Sequence, residues 1–223
     1  EGYGGSRCEL CADGYKRVAA EFNRAGALMT LKRYAEAEAD CRRALAQAPD
    51  HVGALFNLGK AQAGQKKLGD ALATSDKLIS LQPGNPMAWS DRGSLLAAMG
   101  RPKDAWACFD KALAIEPDLA DAWFASGMLY SSFLQHEAAL KCFRRVFALQ
   151  PGNAEASCRL AEALRRLGRD EEALAAFQET LKIDKDFPFV RTQVAWLKLH
   201  RCNWEGVDAD IEATLHAVRE GKR

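Results

Sequence analysis

Read along the chain, apolar and small residues recur at helical spacing, and the pattern restarts at a fixed interval. In "AWSDRGSLLAAMG", Trp89, Gly93, Leu96 and Ala97 form one stripe at i, i+4, i+7. In "DAWACFDKALAIEP" a second stripe runs through Ala105, Phe109, Ala112 and Leu113. Gly100 stands between the two, where a left-handed residue costs least, and Pro117 stops the second. The pattern predicts a pair of antiparallel helices. Pro49, Pro83, Pro117 and Pro151 then repeat every 34 residues. Ala37, Ala71, Ala105, Ala139 and Ala173 keep the same step, as do Gly59, Gly93 and Gly127, and Trp89 and Trp123. Four residue types on one period make the helix pair a repeating unit. The small residues, Gly93 on the first helix and Ala105 on the second, let the helices approach, with Trp89 and Phe109 beside them.

These residues resemble the tetratricopeptide repeat, W-x2-L-G-x2-Y, then A-x3-F-x2-A, then P. The units are 18–51, 52–85, 86–119, 120–153 and 154–187. The third and fourth fit best, through "WSDRGSLL", "WFASGMLY" and their prolines. The first has Glu21 for the tryptophan; the fifth has Ser157 there and Lys185 for the proline. Residues 1–17 stand before the first unit, as a degenerate half repeat or as added residues. Residues 188–223 read as a degenerate sixth repeat that caps the array or joins it to a further domain. The resemblance implies an all-α fold, a right-handed helical solenoid with one concave surface.

Lys plus Arg number 31 and Asp plus Glu 30, a balance that argues against nucleic acid or an anionic membrane as partner. No stretch approaches the roughly 18 apolar residues of a membrane span. The N-terminus lacks the pattern of a secretion signal, so a cytoplasmic protein is expected. The seven cysteines are an odd number, and those at helical positions suit reduced, buried residues. Cys8 and Cys11 form a C-x-x-C without the second ligand pair that structural zinc needs, so no metal is expected. His51 and His136 fall at turns, and no histidine has a nucleophile at a usable spacing. No phosphate loop follows a strand. The chain alone is therefore expected to be no enzyme and to need no cofactor.

In tetratricopeptide folds the first helix of each unit lines the concave face. Position 5 of the units holds Phe22, Phe56 and Phe124, among others; position 6 holds Asn23, Asn57, Asp91, Ala125, Arg159 and Gln193. Lys60 and Met128 occupy position 9. The family's clamp for a C-terminal carboxylate needs basic residues where this chain has Phe22, Phe56, Met87 and Asp91, so that ligand is disfavoured. The amides at position 6 can pair with an extended peptide backbone whatever its sequence, as in the asparagine row of O-GlcNAc transferase repeats. Isolated Asn and Asp on a solvated helix face carry no such meaning, and the phenylalanines suit packing as well as ligand anchoring. The expected partner is a protein or extended peptide in this groove, with self-association through the solenoid ends as a further possibility. Asn23 and Asn57 are both expected to be solvated. The first helix of the fifth unit carries alternating charge (Glu155, Arg159, Glu162, Arg165, Arg166), which suits solvent or a polar ligand.

The C-terminal stretch has a narrower resemblance. Cys202, Asn203, Trp204 and Asp208 are similar to the junction of bacterial O-GlcNAc transferase-like (SPINDLY-type) proteins, where repeats meet the glycosyltransferase domain; Asn203 departs from the usual aspartate. That resemblance implies an alternative role, the substrate-recognition arm of a protein glycosyltransferase. None of that domain's catalytic motifs is present. In this register the sixth unit's second helix begins near Trp204, with the indole expected near Trp196 and Leu199. Trp204, Val207, Ile211, Leu215 and Val218 form its apolar stripe.

Overall fold

The computed structural model describes residues 20–187 and 189–200, with positions 206, 208, 211, 212 and 215. Among these residues all regular structure is helical, and no helix is long and apolar enough to cross a membrane. The helices form two compact units, which meet in sequence between Pro117 and Asp118.

The first unit contains α1 (residues 20–30), α2 (Tyr34–Gln47), α3 (Val52–Gly64), α4 (Leu68–Leu81), α5 (Pro86–Ala98) and α6 (Pro102–Ile115). The second contains α7 (Ala120–Ser132), α8 (His136–Leu149), α9 (Ala154–Arg166), α10 (Asp170–Ile183) and α11 (Val190–His200). Consecutive helices pack as antiparallel hairpins, α3 on α4 and α5 on α6 in the first unit, α7 on α8 and α9 on α10 in the second.

The turn inside each hairpin has one geometry. Lys32, Lys66, Gly100, Leu134 and Gly168 all adopt positive φ, between 57° and 73°, and follow one another at the 34-residue step. The next residue donates its N–H back to close the helix: Arg33 to Leu28 O, Lys67 to Gln62 O, Arg101 to Leu96 O, Gln135 to Tyr130 O and Arg169 to Leu164 O. These bonds satisfy carbonyls that a helix end leaves unpaired. Glycine takes this conformation without penalty, whereas lysine and leucine carry a cost of about 1–2 kcal/mol. Leu134 is also exposed.

Entry into the next first helix recurs at the same step, except before α7, where Leu119 offers no side-chain cap. Asn85 and Asn153 cap α5 and α9 by accepting from the N–H of Ala88 and Ala156. His51 does the same for α3, its Nδ1 accepting from Ala54 N at 3.0 Å. Trp89 ties its helix to the preceding loop by donating Nε1–H to Pro83 O at 2.8 Å.

Close approach within the hairpins follows the small residues. A Cβ on Gly93 would stand 2.6 Å from the Phe109 ring, and one on Gly127 2.7 Å from the Phe143 ring. Phe109, Phe143 and Phe177 are each no more than 1% exposed. In the second unit a buried cluster runs through Leu140, Phe143, Leu164, Phe177, Val194 and Leu197. The first unit holds buried clusters around Leu28, Cys41 and Leu58 and around Leu55, Leu78 and Ala88.

Two expectations meet a different arrangement. Asn57 is not solvated: it is buried, with its amide nitrogen facing Gly26 of the preceding repeat, 4.0 Å from where a Cβ there would lie. At the C-terminal end, Gly206 takes a left-handed turn with φ +68°, four residues beyond the position that Gly168 plus 34 would give, and Asp208 is helical. The turn thus falls inside the stretch where a second helix starting near Trp204 was expected. Trp204 itself, Cys202, Asn203, Cys8 and Cys11 lie outside the described residues.

Candidate functional site

The first helices of the repeats, α1, α3 and α5 in one unit and α7, α9 and α11 in the other, carry the groove candidates, and each unit forms clefts with them. In the first unit a cleft of about 240 Å³ opens along α3 and α5. Phe56, Lys60 and Asp91 line it, together with Ser94. The Lys60 ammonium sits 4.2 Å from the centroid of the Phe56 ring, a cation–π contact that orients both side chains. Leu55, Leu78 and Leu95 make its inner wall.

Two clefts of the second unit share Arg159. One, of about 280 Å³, includes Met128, Glu162, Arg165 and Arg166; the other, of about 420 Å³, includes Phe187, Val190 and Gln193. Arg159 is clasped by Glu155 at 2.7 Å and Glu162 at 3.0 Å. Burial works against its charge, but Glu162 and Glu155 more than offset this and hold its pKa above the ordinary guanidinium value. This part of the surface carries the charges of Glu155, Arg159 and Glu162 beside apolar residues such as Phe187 and Val190. Beneath it, burial and then Glu162 push the Cys158 thiol up to about 12, which keeps it protonated and unreactive. Burial likewise pushes Cys41 up to about 11.

The remaining candidates go elsewhere. Phe22 packs its ring 5.4 Å from the His51 ring and against Gly53. Asn23 is exposed on α1. Phe124 sits edge-on to Phe143, 5.8 Å between centroids, at the margin of the second unit's core. Asn57 is buried, so the position-6 residues do not form a row of equally accessible amides. One feature escaped the sequence reading. Ser75 stands in the second repeat where Phe109, Phe143 and Phe177 stand in later ones, and it lines the cleft along α3 and α5. Its signal was the departure from A-x3-F at Ala71–Ser75.

Two family models, each described as "Tetratricopeptide repeat", match the sequence. One covers residues 61–130; the other covers 10–52, 22–86 and 127–186, more than half of the chain. The chain belongs to the tetratricopeptide repeat family. The matched segments end at 186, before the stretch that resembles a transferase junction. No curated protein matches. Among solved structures, the chain is similar to a thermophilic TPR protein of Thermus thermophilus (TM-score 0.68, 22% identity, 82% of this chain and 99% of that one). It is also similar to MamA of Desulfovibrio magneticus (TM-score 0.68, 18% identity, 76% and 96%). A third is YrrB, a TPR protein with an unusual peptide-binding site (TM-score 0.57, 20% identity, 87% and 96%). At these identities the likeness concerns the fold.

Proposed function

We propose that this protein is a scaffold that binds extended segments of other proteins through the clefts of its first helices. The observation that carries the reading is the gathering of Phe56, Lys60 and Asp91 on one cleft, with an apolar wall beneath a rim of opposite charges. An extended peptide needs a surface that takes side chains in pockets and offers donors and acceptors to the backbone between them. Lys60 supplies the donor and Asp91 the acceptor. The TPR fold of the chain and the peptide-binding site named for YrrB support the same reading.

A displayed library of extended peptides tests it. A selected peptide should lose at least about tenfold in affinity on Lys60→Glu, roughly 1.4 kcal/mol. It should keep its affinity on Lys77→Glu, a change on the second helix of the same repeat. Equal losses, or none, would contradict the assignment. The transferase-arm alternative would add a catalytic domain after Arg223 to this scaffold, and nucleotide-sugar motifs in the gene beyond that point are its test; the binding role does not depend on it.

A further inference from the structure

Three of the five repeats place a phenylalanine from the second helix against the first. Phe109 lies on Gly93, Phe143 on Gly127, and Phe177 is wholly buried in its unit. The second repeat keeps the glycine, Gly59, but has Ser75 in place of the ring. The consequence is geometric: the nearest atom to a Cβ on Gly59 is Thr74 Cγ2 at 3.8 Å, where Gly93 and Gly127 meet rings at 2.6 and 2.7 Å. The space that a benzyl group occupies in later repeats is not filled from within. The first repeat also lacks the phenylalanine, but there Cys41 is fully buried with Leu28 and Leu58 around it. At Ser75 the space belongs to the cleft of about 240 Å³. That exceeds the roughly 150 Å³ apolar cavity that suffices to hold benzene.

The chemistry of the walls matches a ring. Leu55, Leu78, Ala88 and Leu95 are buried and line the inner part. Ser75 does not make the floor polar, because its hydroxyl donates to Ala71 O at 3.0 Å within its own helix. The half-buried Phe56 forms a side wall, placed for an aromatic–aromatic contact. At the rim, Lys60 and Ser94 are exposed on opposing helices α3 and α5, with Asp91 beside them.

We infer that this pocket receives an aromatic side chain, phenylalanine above all, from a bound polypeptide, so that the partner supplies the ring that the repeat omits. The ring enters between α3 and α5. The peptide groups on either side of it meet the Lys60 donor and the Asp91 acceptor. This rests on the peptide-binding reading above and names the residue class that the first unit selects.

Fluorobenzene, followed by its ¹⁹F resonance, is the direct probe. The full chain should bind it saturably in about the millimolar range. Ser75→Phe restores the ring from inside and should weaken binding at least about tenfold while the helical spectrum persists. Ser94→Trp, at an exposed rim position, should do the same from outside, which covers a Ser75→Phe chain that fails to fold. Ser75→Ala should bind within about twofold of the parent, since only the internally bonded hydroxyl is lost. N-acetylphenylalanine methylamide should displace the probe, and the alanine analogue should not. Absence of fluorobenzene binding, equal binding by the occluded variants, or no displacement by the capped phenylalanine would each overturn the proposal. A library-selected peptide that binds Ser75→Phe as tightly as the parent would also overturn it, while leaving the peptide-binding function intact.

Discussion

Gly59 and Gly93 occupy the same position of successive repeats, yet the structure predicts opposite effects for the same substitution. In a helix interior, Gly→Ala restricts the unfolded chain and is worth about 0.5–1 kcal/mol of stability. At Gly59 nothing opposes that gain, because the new Cβ would find its nearest neighbour at 3.8 Å, an ordinary contact. At Gly93 the Cβ would sit 2.6 Å from a ring that is 1% exposed. Phe109 would have to move within a packed hairpin, and such overpacking costs about 1–3 kcal/mol. Gly59→Ala should therefore stabilise by about 0.5–1 kcal/mol, while Gly93→Ala destabilises by about 0.5–2 kcal/mol once the helix-propensity gain is subtracted. Urea denaturation followed by circular dichroism measures both, with equal m-values checking that the same surface unfolds. If the ring is the cause, Gly93→Ala should cost less in a Phe109→Leu background. Shifts of the same sign and size at the two glycines would refute the argument.

Leu134→Gly should raise stability by about 0.5–1 kcal/mol, because it relieves the left-handed leucine at φ 57° against the added chain entropy of glycine; a thermal melt reads it. Asn57→Ala should cost about 1 kcal/mol, whereas Asn23→Ala should stay within about 0.5 kcal/mol of the parent, since only the first is buried; paired urea titrations compare them. Glu38 is held below the usual carboxylate range, first by the hydrogen bond from Lys67 at 2.8 Å, then by Gln65 and the charge of Arg42. A depressed folded-state pKa gives stability that is complete above the unfolded value of about 4.3 and is lost as pH falls through the folded value. Glu38→Gln should flatten that acid limb of the stability profile.

Much of the fold was legible in the sequence, because each repeat writes its packing as residue type. The prolines mark helix ends, the alanines and glycines mark close approach, and Gly100 marks the turn. The left-handed turns at Lys32, Lys66 and Leu134 were not legible: only two of five repeats have glycine there, and the closing N–H bond sets the conformation in the rest. The burial of Asn57 arises beside Gly26 of the preceding repeat, a contact between repeats that no local pattern displays. The site was partly legible. Phe56, Lys60 and Asp91 were identified from their repeat positions and share a cleft, but the pocket beneath them depends on Ser75. Its departure from the repeat could be read, its effect could not, since Cys41 departs at the same position and is packed over.

The central claim is that polypeptide partners lie against the first helices of the repeats. Photo-crosslinking tests it, with a benzophenone amino acid placed in a selected extended peptide and the adducts located on the protein by mass spectrometry. The account predicts adducts on α3 and α5, around exposed Lys60 and Ser94, lost on competition with the unlabelled peptide. Adducts confined to the second helices, around exposed Lys77 and Asp110, would contradict it.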